Sequence, residues 1–359
     1  MSAYIAGIAA WYPEPVRYNS DWPAEFSQRS LEGDRLFNDI PQASEASARI
    51  TDEYLAREAS DPFLGAKERR VAPASVSAVD AEVWAAERAL ADAGVRAADV
   101  DLVISYSVTP ERLTPATACA VAHRLGVGQA LAFGIDAACA TALVQLDLAA
   151  KWVESGRADT VLLTQSHLLL RAFPMLHPAA PGLGDAATAI VVRRRGRYRI
   201  VATHAVTSGE YHDAVTWVRS APEDAPWWLA GSDFRVGTRN REQAKALQRD
   251  TVSFAVRTLR EVCEQAGEST ERLRLLASVE PRGWVPLATA RVLGLSESSV
   301  LSVYETRGHL GACGPIANLA QGQASGRTDA PGLFGLYGQG AGFTRAAALL
   351  EMDLPEVSA

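Results

Sequence analysis

Cysteine is scarce in this chain and never clustered. Cys119, Cys139, Cys263 and Cys313 lie far apart with no Cys-x-x-Cys pair, which excludes a disulfide framework and the usual structural zinc sites. No two histidines or carboxylates show metal-ligand spacing on a helix, so no metal is expected. Long apolar runs are missing too: nothing approaches the roughly 18 residues that read as a membrane span. The opening Met1-Ser2-Ala3-Tyr4-Ile5 lacks the charged start and apolar stretch of a secretory leader. A cytoplasmic protein is expected. Nor is there a basic excess: the net charge is −7 and arginines are interspersed with acids, as in Glu68-Arg69-Arg70, which speaks against a nucleic-acid partner. What the chain does have is 359 residues, 48% of them hydrophobic, enough for one large core or two fused ones.

Residues 3–13 read as a strand and turn. The next 60 or so are rich in Ser, Glu, Asp and Arg, with a helical patch at Ser44–Ala56 but little apolar periodicity; about 20–75 is expected to be a surface insertion. From Asp80 the pattern becomes regular. Helices are expected over Ala81–Ala93, ending at Gly94, and Ala116–Leu125, ending at Gly126. Strands are expected at Val100–Tyr106, Ala130–Gly134, Thr160–Thr164 and Thr188–Arg193, with a helical run from Cys139 to Gly156 and a Pro/Gly-rich loop at Pro174–Gly184. Such alternation argues for an α/β fold of layered sheets. A shift of 170 residues places Ser155-Gly156-Arg157-Ala158-Asp159 over Ser325-Gly326-Arg327-Thr328-Asp329, and Cys139 over His309. Two similar halves follow, 1–195 and 196–359.

Cys139 sits where the apolar strand Leu131–Ile135 passes through a small-residue turn into a long helix. The helix dipole and free N–H groups there favour a thiolate, the nucleophilic form. His309 lies in a glycine-rich turn before a second helix, where an imidazole can orient a thioester carbonyl or move a proton. Gly338-Gln339-Gly340-Ala341-Gly342-Phe343-Thr344 has the glycine density of a phosphate loop but no lysine, and its backbone is suited to an oxyanion hole. His123 lies on an expected helix and reads as a packing or surface residue, His167 and His177 flank the loop before Gly184, where His177-Pro178 is placed to line an acyl pocket, and His204 and His212 have no motif around them.

These segments resemble ketoacyl-ACP synthase III of the thiolase superfamily. Phe133–Leu146 resembles the family's Ala-Ala-Cys nucleophile turn, and Gly182–Ala189 its Phe-Gly-Asp-Gly-Ala-Gly-Ala stretch. Gly340–Leu349 is similar to the closing Gly-Gly-Gly-Phe-Thr segment, and Gly65–Arg70 to its Gly-Ile-x-x-Arg-Arg. The resemblance implies a five-layered αβαβα thiolase fold, a homodimer, no tightly bound cofactor, and an acyl donor carried on the phosphopantetheine of acyl-CoA or acyl-carrier protein. It also implies a thioester on Cys139 and an oxyanion hole that includes Gly342. Departures matter as much. The family's Pro-His-Gln-Ala-Asn histidine is absent from Ser278-Val279-Glu280-Pro281-Arg282-Gly283-Trp284, where Val279 or Glu280 stands in its place. The family's Asn is replaced by His309, in a Gly-His-x-x-Gly-Ala-x-Gly turn more like that of thiolases and elongating ketosynthases. Thr141 stands where the family has glycine. Glu280 is a candidate base for the acceptor, and Arg282 and Trp284 are candidate contacts of the phosphopantetheine arm. The expected activity is transfer of an acyl group to a small-molecule hydroxyl or amine, or to carbon in a condensation. The alternatives are a silent partner subunit and a thioester hydrolase.

Overall fold

The computed structural model describes residues 2–27, 45–219 and 234–352. The main elements of its first half are β1 (Tyr4–Trp11), α1 (Glu45–Glu58), α2 (Ala78–Ala93), β2 (Leu102–Ser107), α3 (Thr117–Leu125), β3 (Leu131–Gly134), α4 (Thr141–Glu154), β4 (Thr160–His167) and β5 (Ala186–Arg193). Those of the second are β6 (Tyr198–Thr207), α5 (Arg241–Gln265), β7 (Leu273–Ser278), α6 (Val285–Val292), β8 (Val300–Leu301), α7 (Gly314–Ala324), β9 (Gly332–Gly340) and β10 (Thr344–Met352). Strand order is β3-β2-β4-β5-β1 in one half and β8-β7-β9-β10-β6 in the other. In each, the first three strands run parallel and the last two antiparallel. The halves join edge to edge where Tyr4 and Ile5 meet Arg199 and Tyr198.

Three apolar clusters define five layers. Leu143 and Leu146 of α4 and Ile316 and Leu319 of α7 pack between the sheets against Ile104, Leu163, Phe334 and Leu336. Ala85, Ala86 and Ala89 of α2 cover the outer face of the first sheet over Val103, Leu162 and Val191. Val252, Leu259 and Val262 of α5 cover the second over Leu276, Tyr337 and Leu349. Covered on both faces, β4 and β5 read as buried runs without alternation. Each leucine of the middle layer contributes about 1.5–3 kcal/mol by leaving water.

Several boundaries differ from expectation for local reasons. Helix α2 starts three residues early because Ser77 and Asp80 form a capping box, with the Asp80 N–H donating to Ser77 Oγ at 3.0 Å. Strand β4 runs on to His167 because its polar tail is buried and bonded, as in Ser166 Oγ to Glu82 at 2.8 Å. The repeat also needs correction. Gly156 and Gly326 end their helices alike, at φ +75° and +71°. At the starts, however, α7 is three residues shorter, so the counterpart of Cys139 in the turn Ala138–Ala140 is Ala312 in the turn Gly311–Cys313, not His309.

The stretch expected at about 20–75 to be a surface insertion is partly built into the fold; residues 28–44 of it lie outside the described residues. Helix α1 packs on α5 and α6, with Tyr54 in their apolar cluster. Arg69 is fully buried, donating to the carbonyls of Pro181 and Arg17 and stacking on Trp22. Composition hid this, because the buried contacts of the stretch are made by a few aromatics and one arginine.

Candidate active site

The turn that carries Cys139 is held by its neighbours. Ala138 takes a left-handed φ of +48°, a conformation that costs a non-glycine residue about 1–2 kcal/mol. Its N–H donates to Asp136 Oδ1 at 2.7 Å. Thr141 Oγ1 accepts the Ala137 N–H at 2.8 Å and donates to the Ala138 carbonyl at 2.7 Å. Thr141, expected only as a departure from glycine, is thus the clasp of the turn. From the far side Gly340 presses on it: a Cβ there would overlap the Ala137 carbonyl and lie 2.7 Å from Cys139 N. Gly342, the expected oxyanion glycine, has φ +116° in the range that favours glycine, with open space where a Cβ would point. Among the glycines of this loop, Gly340 makes the direct approach to Cys139.

His309 reaches Cys139 from the loop before α7, with Nε2 3.7 Å from Sγ. Its Nδ1 lies 2.9 Å from the backbone carbonyl of Glu280. A carbonyl only accepts, so Nδ1 carries the ring proton and Nε2 presents a lone pair to the thiol. The ring of His167, at the buried end of β4, stands edge-on to that of His309 with centroids 5.5 Å apart. The sequence places His167 only as flanking the loop before Gly184, with no role at the site.

Glu280 enters the site by its backbone. Its carboxyl, in a residue 2% exposed, is held by Ser302 Oγ and by Asn318 Nδ2 at 3.1 Å, while its carbonyl is the part that meets His309. Asn318 is also committed elsewhere, to Ser278 O at 2.9 Å and to the Val303 N–H at 2.9 Å.

Burial sets the charge states. It pushes the Cys139 thiol up to about 12, with Asp136 adding to the shift. His309 is pushed down to about 3 by burial and then by His167, and His167 itself to about 4 by burial. The resting site is therefore a neutral thiol beside a neutral imidazole, not the thiolate expected from the helix dipole: desolvation outweighs the favourable field of the terminus. Among the described residues, His309 Nε2, 3.7 Å from Sγ, is the neighbour placed to accept the thiol's proton.

Trp284 lines a cavity of about 400 Å³ together with Tyr54, Arg57, Glu58 and Ser302, and Arg282 reaches it through Glu58. Trp284 stacks on Tyr54 at 5.9 Å and 12°, and Arg282 Nε is 3.6 Å from Glu58. His123 is exposed and His177 packs edge-on to Phe173. Among the described residues no group of side chains is arranged to hold a metal, and no helix is long and apolar enough to cross a membrane.

The 3-oxoacyl-[acyl-carrier-protein] synthase III family matches residues 133–209, which include the Cys139 turn, β4 and β5. A β-ketoacyl-[acyl-carrier-protein] synthase III of Xylella fastidiosa is 28% identical over 354 residues, covering 97% of this chain and 98% of that protein. The synthase III structure from Thermus thermophilus superposes with a TM-score of 0.76 at 26% identity, covering 98% and 99% of the two chains. A Xanthomonas campestris OleA variant with bound lauric acid and lauroyl-CoA shares the fold at TM-score 0.73 and 19% identity, covering 98% and 99%.

Proposed function

Because this chain is a ketoacyl-ACP synthase III-like acyl-transferring enzyme of the thiolase superfamily, we propose that it carries an acyl group as a thioester on Cys139 and passes it to a hydroxyl or amine. The observation that carries this reading is the lone pair of His309 Nε2 facing Cys139 Sγ at 3.7 Å, a base in place of a donor. Sulfur attacks the donor carbonyl while its proton passes to Nε2. The oxyanion is held by the Cys139 and Gly342 N–H groups, and collapse expels the pantetheine thiolate, which takes the proton back. The acceptor O–H or N–H then gives its proton to Nε2, attacks the acyl carbon and frees the thiol. Decarboxylative condensation calls instead for neutral donors on the malonyl thioester oxygen. His309 offers a lone pair, and the amide of Asn318 is committed to Glu280 and Ser278.

The donor is acyl-CoA or acyl-carrier protein. Lauroyl-CoA on the OleA fold supports the first and the carrier-protein synthases support the second. The cavity lined by Trp284 and Arg57 suits a pantetheine arm, with an aromatic side chain and a guanidinium. The same reading has the chain act as a homodimer in the cytoplasm, in specialised biosynthesis. A second reading is condensation on carbon, favoured by the synthases that match nearly the whole chain.

The test is intact-protein mass after mixing with panels of acyl-CoAs and acyl-carrier proteins, beside Cys139→Ala, followed by chase with alcohols, amines or malonyl thioester. The expected result is a one-acyl adduct, absent in the variant, that leaves to a hydroxyl or amine. Release of carbon dioxide during the malonyl chase would establish condensation instead, and loss of the acyl group to water alone would establish hydrolysis. No adduct with any donor would favour a silent partner subunit.

A further inference from the structure

We propose that His167 is a positioning residue of this site, holding the His309 ring so that Nε2 stays on Cys139; the inference rests on the reading of Cys139 and His309 as the reactive pair.

His309 has one side-chain tether of its own, Nδ1–H to the Glu280 carbonyl at 2.9 Å. One hydrogen bond leaves the ring free to tilt about it. The second point of contact is His167, whose ring stands at 80° to that of His309 with centroids 5.5 Å apart, an edge-to-face arrangement. His167 is itself tied down, 2% exposed, with Nδ1–H donating to the Gly184 carbonyl at 3.0 Å.

These contacts close a circuit. The Gly184 N–H donates to the His309 carbonyl at 3.1 Å, and the His309 N–H to the Gly182 carbonyl at 2.7 Å. The Gly184 carbonyl takes the His167 ring, and that ring returns to the side chain of His309. The two loops interlock at backbone contact: a Cβ at Gly184 would overlap the Arg307 carbonyl, and one at Gly308 would lie 2.9 Å from the Leu183 carbonyl carbon. The approach of His167 is provided for in the same way. A Cβ at Gly311 would overlap His167 Cδ2 and lie 2.7 Å from Nε2, so the loop that presents His309 is shaped to admit the second ring. A buried polar side chain used only for structure would be satisfied by the Gly184 carbonyl alone; the turn that accommodates His167 is the one that carries the base.

The consequence is geometric. A positioned general base contributes about 10²–10⁴-fold, and a misplacement of about 1 Å can cost on the order of 100-fold. His167 acts through His309, so its loss affects proton removal from Cys139 before it affects substrate binding.

The experiment is alkylation of the full-length protein by chloroacetamide, resolved at Cys139 and Cys119 by peptide mass, from pH 6 to 9, with His167→Ala and His167→Phe. This probe needs no acyl donor or acceptor. His167→Ala is expected to slow Cys139 about tenfold or more. Its rate should then climb with pH as free thiol ionisation does, while exposed Cys119 reacts as before. His167→Phe returns a ring edge to His309 without a titratable nitrogen and is expected to restore most of the rate. An unchanged rate in His167→Ala, or a slow rate in a folded His167→Phe, would overturn the proposal; the phenylalanine variant decides if the alanine variant does not fold. Failure of every acyl donor to load Cys139, with the alkylation pattern intact, would sink the acyl-transfer reading and leave this one standing.

Discussion

The starts of α4 and α7 use one backbone device for two ends. Each begins with a 3-10 turn whose first residue is left-handed, Ala138 at φ +48° and Gly311 at φ +53°. Each turn carries a cysteine, one residue apart in register. Cys139 is partly open and faces an imidazole. Cys313 is fully buried, with Sγ 3.5 Å from the Gln165 carbonyl and 3.7 Å from that of Ala186. Burial pushes both thiols up to about 12. Helix-start position is therefore common to both thiols; what differs is the neighbour, an imidazole that can take a proton beside Cys139 and carbonyls beside Cys313. The strained backbone is also handled differently. The second turn uses glycine, whereas the first keeps alanine and adds the Thr141 and Asp136 clasps.

The largest break in this comparison is expected from Gly340→Ala. The new Cβ would strike the backbone of Ala137, Cys139 and Ala140, moving the nucleophile's turn and lowering acyl loading on the order of 100-fold or more, read by mass spectrometry. Wild-type loading would show that the turn yields without harm. Thr141→Ala comes next: the loss of two hydrogen bonds should cost about 1–3 kcal/mol in denaturant unfolding. At the matching position, Gly314→Ala should be nearly neutral, since its Cβ comes no closer than 3.5 Å to Val279 Cα. Equal effects at the two sites would mean that the clasp is not what distinguishes them.

The smallest effect is a pH dependence at Glu280. Burial raises its carboxyl from 4.5 to about 7. Its contribution to stability is thus complete below about pH 4.5 and is lost as pH rises through about 7, because the folded state then holds a proton that the unfolded state has released. Glu280→Gln keeps partners for Ser302 and Asn318 and should flatten the fall in melting temperature between about pH 4.5 and 7 by a few degrees. An unchanged slope would assign that fall to Glu82, which is buried and raised to about 8.

Much of the layered order was legible because its signals are local. Gly94 and Gly126 end α2 and α3 as left-handed caps, and buried apolar runs mark β4 and β5. Cys139 stood out by its strand-turn-helix context. What was not legible came from contacts distant in sequence. The repeat register slipped because α7 lacks three residues that no local signal counts. Glu280 meets His309 through a carbonyl, which every residue type shares, so no side-chain signal announced that contact.

By itself the sequence determined the α/β class and the turn that presents Cys139, and carried the motifs that resemble ketoacyl-ACP synthase III, because periodicity, caps and small-residue turns depend on neighbours along the chain. Only the tertiary structure decided that His309 meets Cys139 with a lone pair, that the pair rests uncharged, and that His167 stands against it. Those properties depend on which carbonyl faces which nitrogen, and on how much protein excludes water from groups 170 residues apart in sequence.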